Sequence, residues 1–132
     1  MKLVDKLEKA LPAIEARRGP FLLVGLFLRE ESPGPWDLVV SAPWLEDRKL
    51  RTLDALVKYL SEAAGKDFIQ DLSRIVTLDA HSDVVRSVLA ETRRASLPLH
   101  KVGRDLFGLP VEEAYVLRAQ TAARNVRELA AR

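Results

Sequence analysis

At 132 residues the chain is long enough for one ordinary domain and leaves no room for a second, and its 48% hydrophobic and 30% charged residues can build a core while keeping it soluble. The absence of cysteine excludes disulfides, thiolate zinc sites and cysteine nucleophiles, so any chemistry rests on oxygen, nitrogen or backbone groups. Charge is unevenly placed, with 12 Lys/Arg against 14 Asp/Glu in residues 1–85 and 9 against 5 beyond, a milder basic bias than the dense stripe of a nucleic-acid surface.

Residues 2–18 set Leu3, Leu7, Leu11 and Ile14 at helical spacing, which predicts a surface helix packed by one face. Pro12 lies inside that pattern and predicts a kink, or a helix that restarts with Pro12 in its first turn; Gly19-Pro20 ends it. The start carries acids in its first turns and no small-residue cleavage site, so it does not read as a signal peptide. Phe21 to Leu28, the longest apolar run, is too short to cross a bilayer as a helix. Cytoplasmic residence is expected, with no membrane partner.

Phe21–Leu28 has no polar residue on either parity, the pattern of a central strand buried on both faces, and Gly25 in its middle suggests a bulge or a place where a helix backbone comes close. Ser32-Pro33-Gly34-Pro35 fits a type II turn into a second strand over Trp36–Ala42. A tightly closed turn would set Glu30 against Asp37, two carboxylates face to face; a shift by one residue sets Arg29 against Asp37 and is preferred. The first register would make Glu30 and Asp37 a cation site.

A helix is expected from Glu46 to Ala64, with Glu46 and Asp47 in its first turn and Gly65 as its C-cap. A short helical piece over Lys66–Leu72 leads into a strand at Arg74–Asp79, and a strand, a crossover helix and a strand imply parallel pairing. Ser82-Asp83 opens a helix through about Arg94. Residues 99–107 and 111–118 read as a closing hairpin, and 120–132 as a helical tail with only Val126 and Leu129 as large apolar residues, which needs a docking surface. The fold expected is α+β: one central mixed sheet of about five strands, with helices packed on it, in the order α-β-β-α-(α)-β-α-β-β-α, all within one domain.

This order, with Leu26-Phe27-Leu28-Arg29 and Trp36-Asp37-Leu38-Val39-Val40, resembles the minimal core of the nucleotidyltransferase fold. The resemblance implies a Gly-Ser pair after the first strand and an acid-x-acid motif on the second, for nucleotide phosphates and two divalent ions. Here the Gly-Ser pair is missing and Val39 stands where the second acid belongs, so this strand cannot assemble a two-metal site. The likeness is one of fold, which does not license function.

Topology offers a second cluster. Ligands of open sheets favour the carboxyl ends of parallel strands, which brings Ser41, Asp79 and His81 to one edge and, in principle, a serine, a histidine and an acid together. Each has an ordinary explanation as well: Ser41 precedes a helix entry, Asp79 and Ser82 suit helix caps, and Asp83 suits the helix dipole. Asp37, Ser41, Asp79 and His81 are therefore the catalytic candidates, and no metal site or cofactor is expected.

Trp36 and Trp44 bracket the second strand as core or edge-sealing residues, or as contact residues at an interface together with Val126 and Leu129. Arg93, Arg94, Lys101 and Arg104, with Arg118, Arg124 and Arg127, are the residues through which nucleic acid would bind, although such binding is disfavoured. The expected role is a non-catalytic domain that binds a protein partner or a second copy of itself. A small hydrolase or degenerate nucleotidyltransferase-like nucleotide-handling protein is the alternative, and weak nucleic-acid association comes third.

Overall fold

The computed structural model describes residues 1–30, 36–93 and 95–121. Their elements are α1 (Lys2–Arg18), β1 (Leu23–Arg29), β2 (Trp36–Ser41), α2 (Leu50–Ala64), α3 (Lys66–Gln70), β3 (Leu72–Thr77), α4 (Asp83–Thr92), β4 (Leu99–Val102) and β5 (Val111–Ala119). The strands form one five-stranded sheet in the order β3-β2-β1-β5-β4. β2 and β3, joined through helices, pair in parallel, and the other three pairings are antiparallel. The fold is the expected α+β arrangement with a mixed sheet. The turn at Ser32–Pro35 and the tail beyond Thr121 lie outside the described residues.

β1 is the central strand, and Leu23 through Phe27 are all buried, as its apolar run on both parities requires. Its odd and even residues feed two separate cores. On one face Val24 and Leu26 join Leu38, Val40 and Leu117 beneath Leu7, Leu11, Ile14, Leu56, Leu60 and Phe68 of α1, α2 and α3. On the other, Leu23 and Phe27 join Val39, Ala114 and Val116 beneath Val85 and Val88 of α4 and Leu106 and Phe107 of the β4–β5 connection.

Several boundaries move from where the sequence puts them. α1 runs through Pro12 as one helix, because Pro12 is exposed and the apolar stripe of Leu7, Leu11 and Ile14 stays buried across it. α2 starts at Leu50 rather than Glu46, since Pro43–Leu45 form a 3-10 turn and Asp47 binds the helix start from upstream, accepting from Lys49 N at 3.0 Å and Thr52 Oγ1 at 2.8 Å. Gly65, at φ 96°, closes α2 by donating to Ser61 O. β3 starts two residues earlier than expected, and Leu72 belongs to it rather than to α3. β4 stops at Val102, because the chain turns at Gly103 and Phe107 enters a 3-10 turn with its ring stacked 5.6 Å from Phe27.

The β1–β2 register also differs from both expected alternatives. Phe27, not Arg29 or Glu30, lies opposite Asp37. Arg29 still reaches Asp37, diagonally along the same sheet face, so the ion pair forms in a register two residues away from the preferred one. Glu30 is drawn off elsewhere, its Oε2 accepting from Asp105 N at 3.1 Å, and the Glu30–Asp37 cation site is not formed.

Candidate functional site

Among the described residues, register builds a buried cluster of one carboxylate and two guanidinium groups. Asp37 lies opposite Phe27 on one side and Arg74 on the other, and the alternation of side chains turns Arg29, Asp37 and Arg74 to the α4 side of the sheet. Asp37 is almost wholly buried, at 3% exposure. Its Oδ2 takes both Arg29 Nε and Arg74 Nε at 3.1 Å. Arg29 is further fixed by donating from Nη2 to Ser73 Oγ at 3.1 Å.

The other oxygen, Asp37 Oδ1, is buried with no hydrogen-bond partner among the described residues. A carboxylate oxygen in that position keeps the cost of leaving water without full compensation, so it is a group that calls for a donor. Asp37, Arg29 and Arg74 line one cleft of about 150 Å³ whose walls are otherwise mostly apolar: Phe27, Val39, Val76, Leu78, Val84 and Leu109. The two arginines against one aspartate leave the polar end of this cleft with one net positive charge. Arg74 lies toward solvent, its side chain 57% exposed, whereas that of Asp37 is 4% exposed.

Of the catalytic candidates, Asp37 is thus the residue drawn into a polar cluster. Ser41 is buried at the end of β2, with its Oγ unpartnered among the described residues and its carbonyl accepting from Leu22 N. Asp79 and His81 are exposed in the loop after β3, where Asp79 Oδ1 accepts from His81 N at 2.7 Å and closes a tight turn. Ser82 Oγ accepts from Val85 N and caps α4. Among the described residues no hydrogen bond joins Ser41 to Asp79 or His81, and no group of three or more His, Cys, Asp or Glu is placed to hold a metal ion.

Trp36 and Trp44 are both half-buried on the α1–α2 side. Trp36 packs 5.6 Å from Tyr115, and Trp44 lies between Phe21 and Tyr59 at 6.0 and 6.4 Å, with the Arg18 guanidinium 4.7 Å over its ring. Tyr115 is also stacked on His100 at 4.1 Å, and partial burial, together with the neighbouring Glu113 carboxylate, pushes its phenol pKa up. Among the basic residues, Lys101 pairs with Glu91 at 2.7 Å and Arg118 with Glu15 at 3.2 Å, while Arg93 and Arg104 are exposed. Arg94, Arg124, Val126, Arg127 and Leu129 lie outside the described residues.

Arg74 is the site residue that sequence reasoning missed, and Arg29 entered it only as a register constraint. The signal was present in both: each is a cation at the end of an apolar strand segment, where a charge is costly unless it meets a counter-charge. No helix among the described residues is long and apolar enough to cross a membrane. No protein-family model matches the chain, and no curated protein or solved structure matches it significantly.

Proposed function

We propose that the chain is a non-catalytic binding domain and that the cleft beside Asp37 is where it binds a small ligand. The carrying observation is the buried Asp37 carboxylate, one oxygen held by two arginines and the other without a donor, set into an otherwise largely apolar cavity. Concave apolar sites with a few convergent polar groups are the usual form of small-molecule sites. A small ligand is favoured over a protein partner because both tryptophans spend much of their surface on intramolecular aromatic contacts. A binding role is favoured over catalysis because the Ser41, Asp79 and His81 side chains are not hydrogen-bonded to one another and Asp37 is committed to two guanidinium groups.

Amide NMR spectra recorded during titration with a panel of ring-sized fragments test this reading. Shifts are expected at Arg29, Asp37, Val39, Val76 and Leu109, and Val84→Phe, which fills the cleft from the α4 side, should reduce them at least tenfold at equal fragment concentration. Fragments that perturb only other surfaces, or whose binding survives Val84→Phe intact, would refute it.

A further inference from the structure

We infer that the outer edge of β3 is a self-association surface, through which two copies of this chain pair antiparallel about a two-fold axis at Val76 and join their sheets into one. The inference goes beyond the binding reading above and does not depend on it.

β3 ends the sheet, with β2 as its one neighbour. Leu78 N donates to Val40 O at 2.8 Å, and in a parallel pairing the N–H and C=O of one residue point to the same side. Arg74, Val76 and Leu78 therefore turn their backbone groups to β2, whereas Ile75 and Thr77 turn theirs outward. Among the described residues no hydrogen bond reaches those outward groups. The far end of the sheet is blunted: β4 has four residues, follows Pro98, and carries His100 and Lys101 paired with Glu113 and Glu91. β3 contains no proline or lysine, and its one extra residue, Ser73, leaves residues 74–77 in regular register.

A second copy fits this edge because few registers are open to a two-fold pair. Outward groups must meet outward groups, so the axis passes through a residue rather than between two. An axis at Arg74 sets two guanidinium groups face to face. One at Ile75 recruits the bulged Ser73, and one at Thr77 sets Ile75 against Asp79, whose carbonyl accepts from Ser82 N in the turn after the strand. An axis at Val76 sets Ile75 opposite Thr77 of the partner subunit and Thr77 opposite Ile75 of the partner subunit, four hydrogen bonds in all. On the α4 side it places Val76 opposite its own copy and Arg74 opposite Leu78 of the partner subunit. Ile, Val and Thr pack well on a pleated surface, and no like charges face each other. On the α1–α2 side, Thr77 shares a groove of about 230 Å³ with Leu45, Leu50 and Leu53. Leu50 is 73% exposed, the most of any large hydrophobic side chain among the described residues. A strand added beside Thr77 extends the floor of that groove.

Sedimentation velocity of the full chain from about 10 µM to about 1 mM, the range of weak self-association, is expected to move from monomer toward dimer. Over the same range, hydrogen exchange at the Ile75 and Thr77 amides should slow at least fivefold while the β4 amides stay unchanged. Thr77→Pro removes an outward donor and leaves the bonds to β2 in place, so it should weaken dimerisation at least tenfold and keep the amide spectrum of the other strands. In a mixture of isotope-labelled and unlabelled copies, Val76 Hα should contact Val76 Hα of the partner subunit. A monomer throughout the range overturns the proposal. So does a dimer in which Ile75 and Thr77 exchange freely, in which β3 touches some other segment, or which Thr77→Pro leaves intact. Should Thr77→Pro fail to fold, the exchange and mixed-label measurements on the unaltered protein still decide.

Discussion

Gly25 shows how one missing side chain sets the sheet. A Cβ at this position would stand 2.8 Å from Phe27 Cε1 and 3.2 Å from the Tyr115 carbonyl. Phe27 is fully buried and stacked on Phe107, so it has no room to swing aside. The β1–β5 register also shifts between Val24 and Gly25, where β5 carries one extra residue, Leu117. Gly25→Ala is therefore expected to destabilise the protein by about 1–3 kcal/mol, the usual range for overpacking a core, which urea unfolding would read as a lower midpoint at unchanged slope. The structure places a bulge here, carried by β5 opposite Gly25, and the backbone that comes close is the Tyr115 carbonyl of that strand rather than the helix the sequence suggests. The sequence could not identify this partner, because β5 lies far along the chain and its bulge leaves no local pattern.

Among the elements, α2 depends on a residue outside itself. The carboxyl of Asp47 is held below the usual carboxylate range, first by the backbone N–H of Lys49 and then by the Thr52 hydroxyl, both of which bind its ionised form. A depressed folded-state pKa contributes stability that is fully present above the ordinary aspartate value near 4 and is lost as pH falls through the folded value. Asp47→Ala should lower the unfolding midpoint at neutral pH, and the gap between variant and parent should close on acidification below about pH 4. Denaturant titrations at a series of pH values would show this, and a gap that stayed constant down to strong acid would mean that Asp47 acts by packing alone. The acids near this helix start are legible in the sequence but their place ahead of its first turn is not, since Pro43-Trp44 does not announce that a 3-10 turn will occupy the chain up to Leu45. The Arg29–Asp37 pair was legible from charge complementarity, and Arg74 was not, because parallel pairing with β3 fixes no register that a turn length could reveal.

At the level of the molecule, one strand serves two cores. Alternation sends Leu26 beneath the helices of the first face and Phe27 beneath α4 and the β4–β5 connection, so loosening either core loosens the strand that the other needs. Leu26→Ala is expected to cost about 2–5 kcal/mol and Val88→Ala, on the opposite face, about 2 kcal/mol. Both tryptophans pack on the Leu26 side, so their fluorescence serves as a one-sided reporter. Val88→Ala should nevertheless shift the tryptophan transition and the far-ultraviolet circular dichroism transition by the same amount. A fluorescence midpoint that stayed in place while the dichroism moved would mean that the two faces unfold separately. This organisation was largely legible: the two-sided burial of Phe21–Leu28 gave the central strand, and the crossover through α2 gave the parallel pair. What stayed hidden was that β5, rather than a strand closer in sequence, is the other neighbour of β1.

That last pairing has a consequence for synthesis on the ribosome. β1 can zip to β2 as soon as the hairpin has left the exit tunnel, but its other edge must wait for Val111–Ala119, roughly ninety residues later. At an elongation rate of about 5–20 residues per second the nascent chain carries an open, apolar strand edge for roughly 4–18 s. During that interval it presents what chaperones such as holdases recognise, and a slowed ribosome would prolong the hazard in direct proportion.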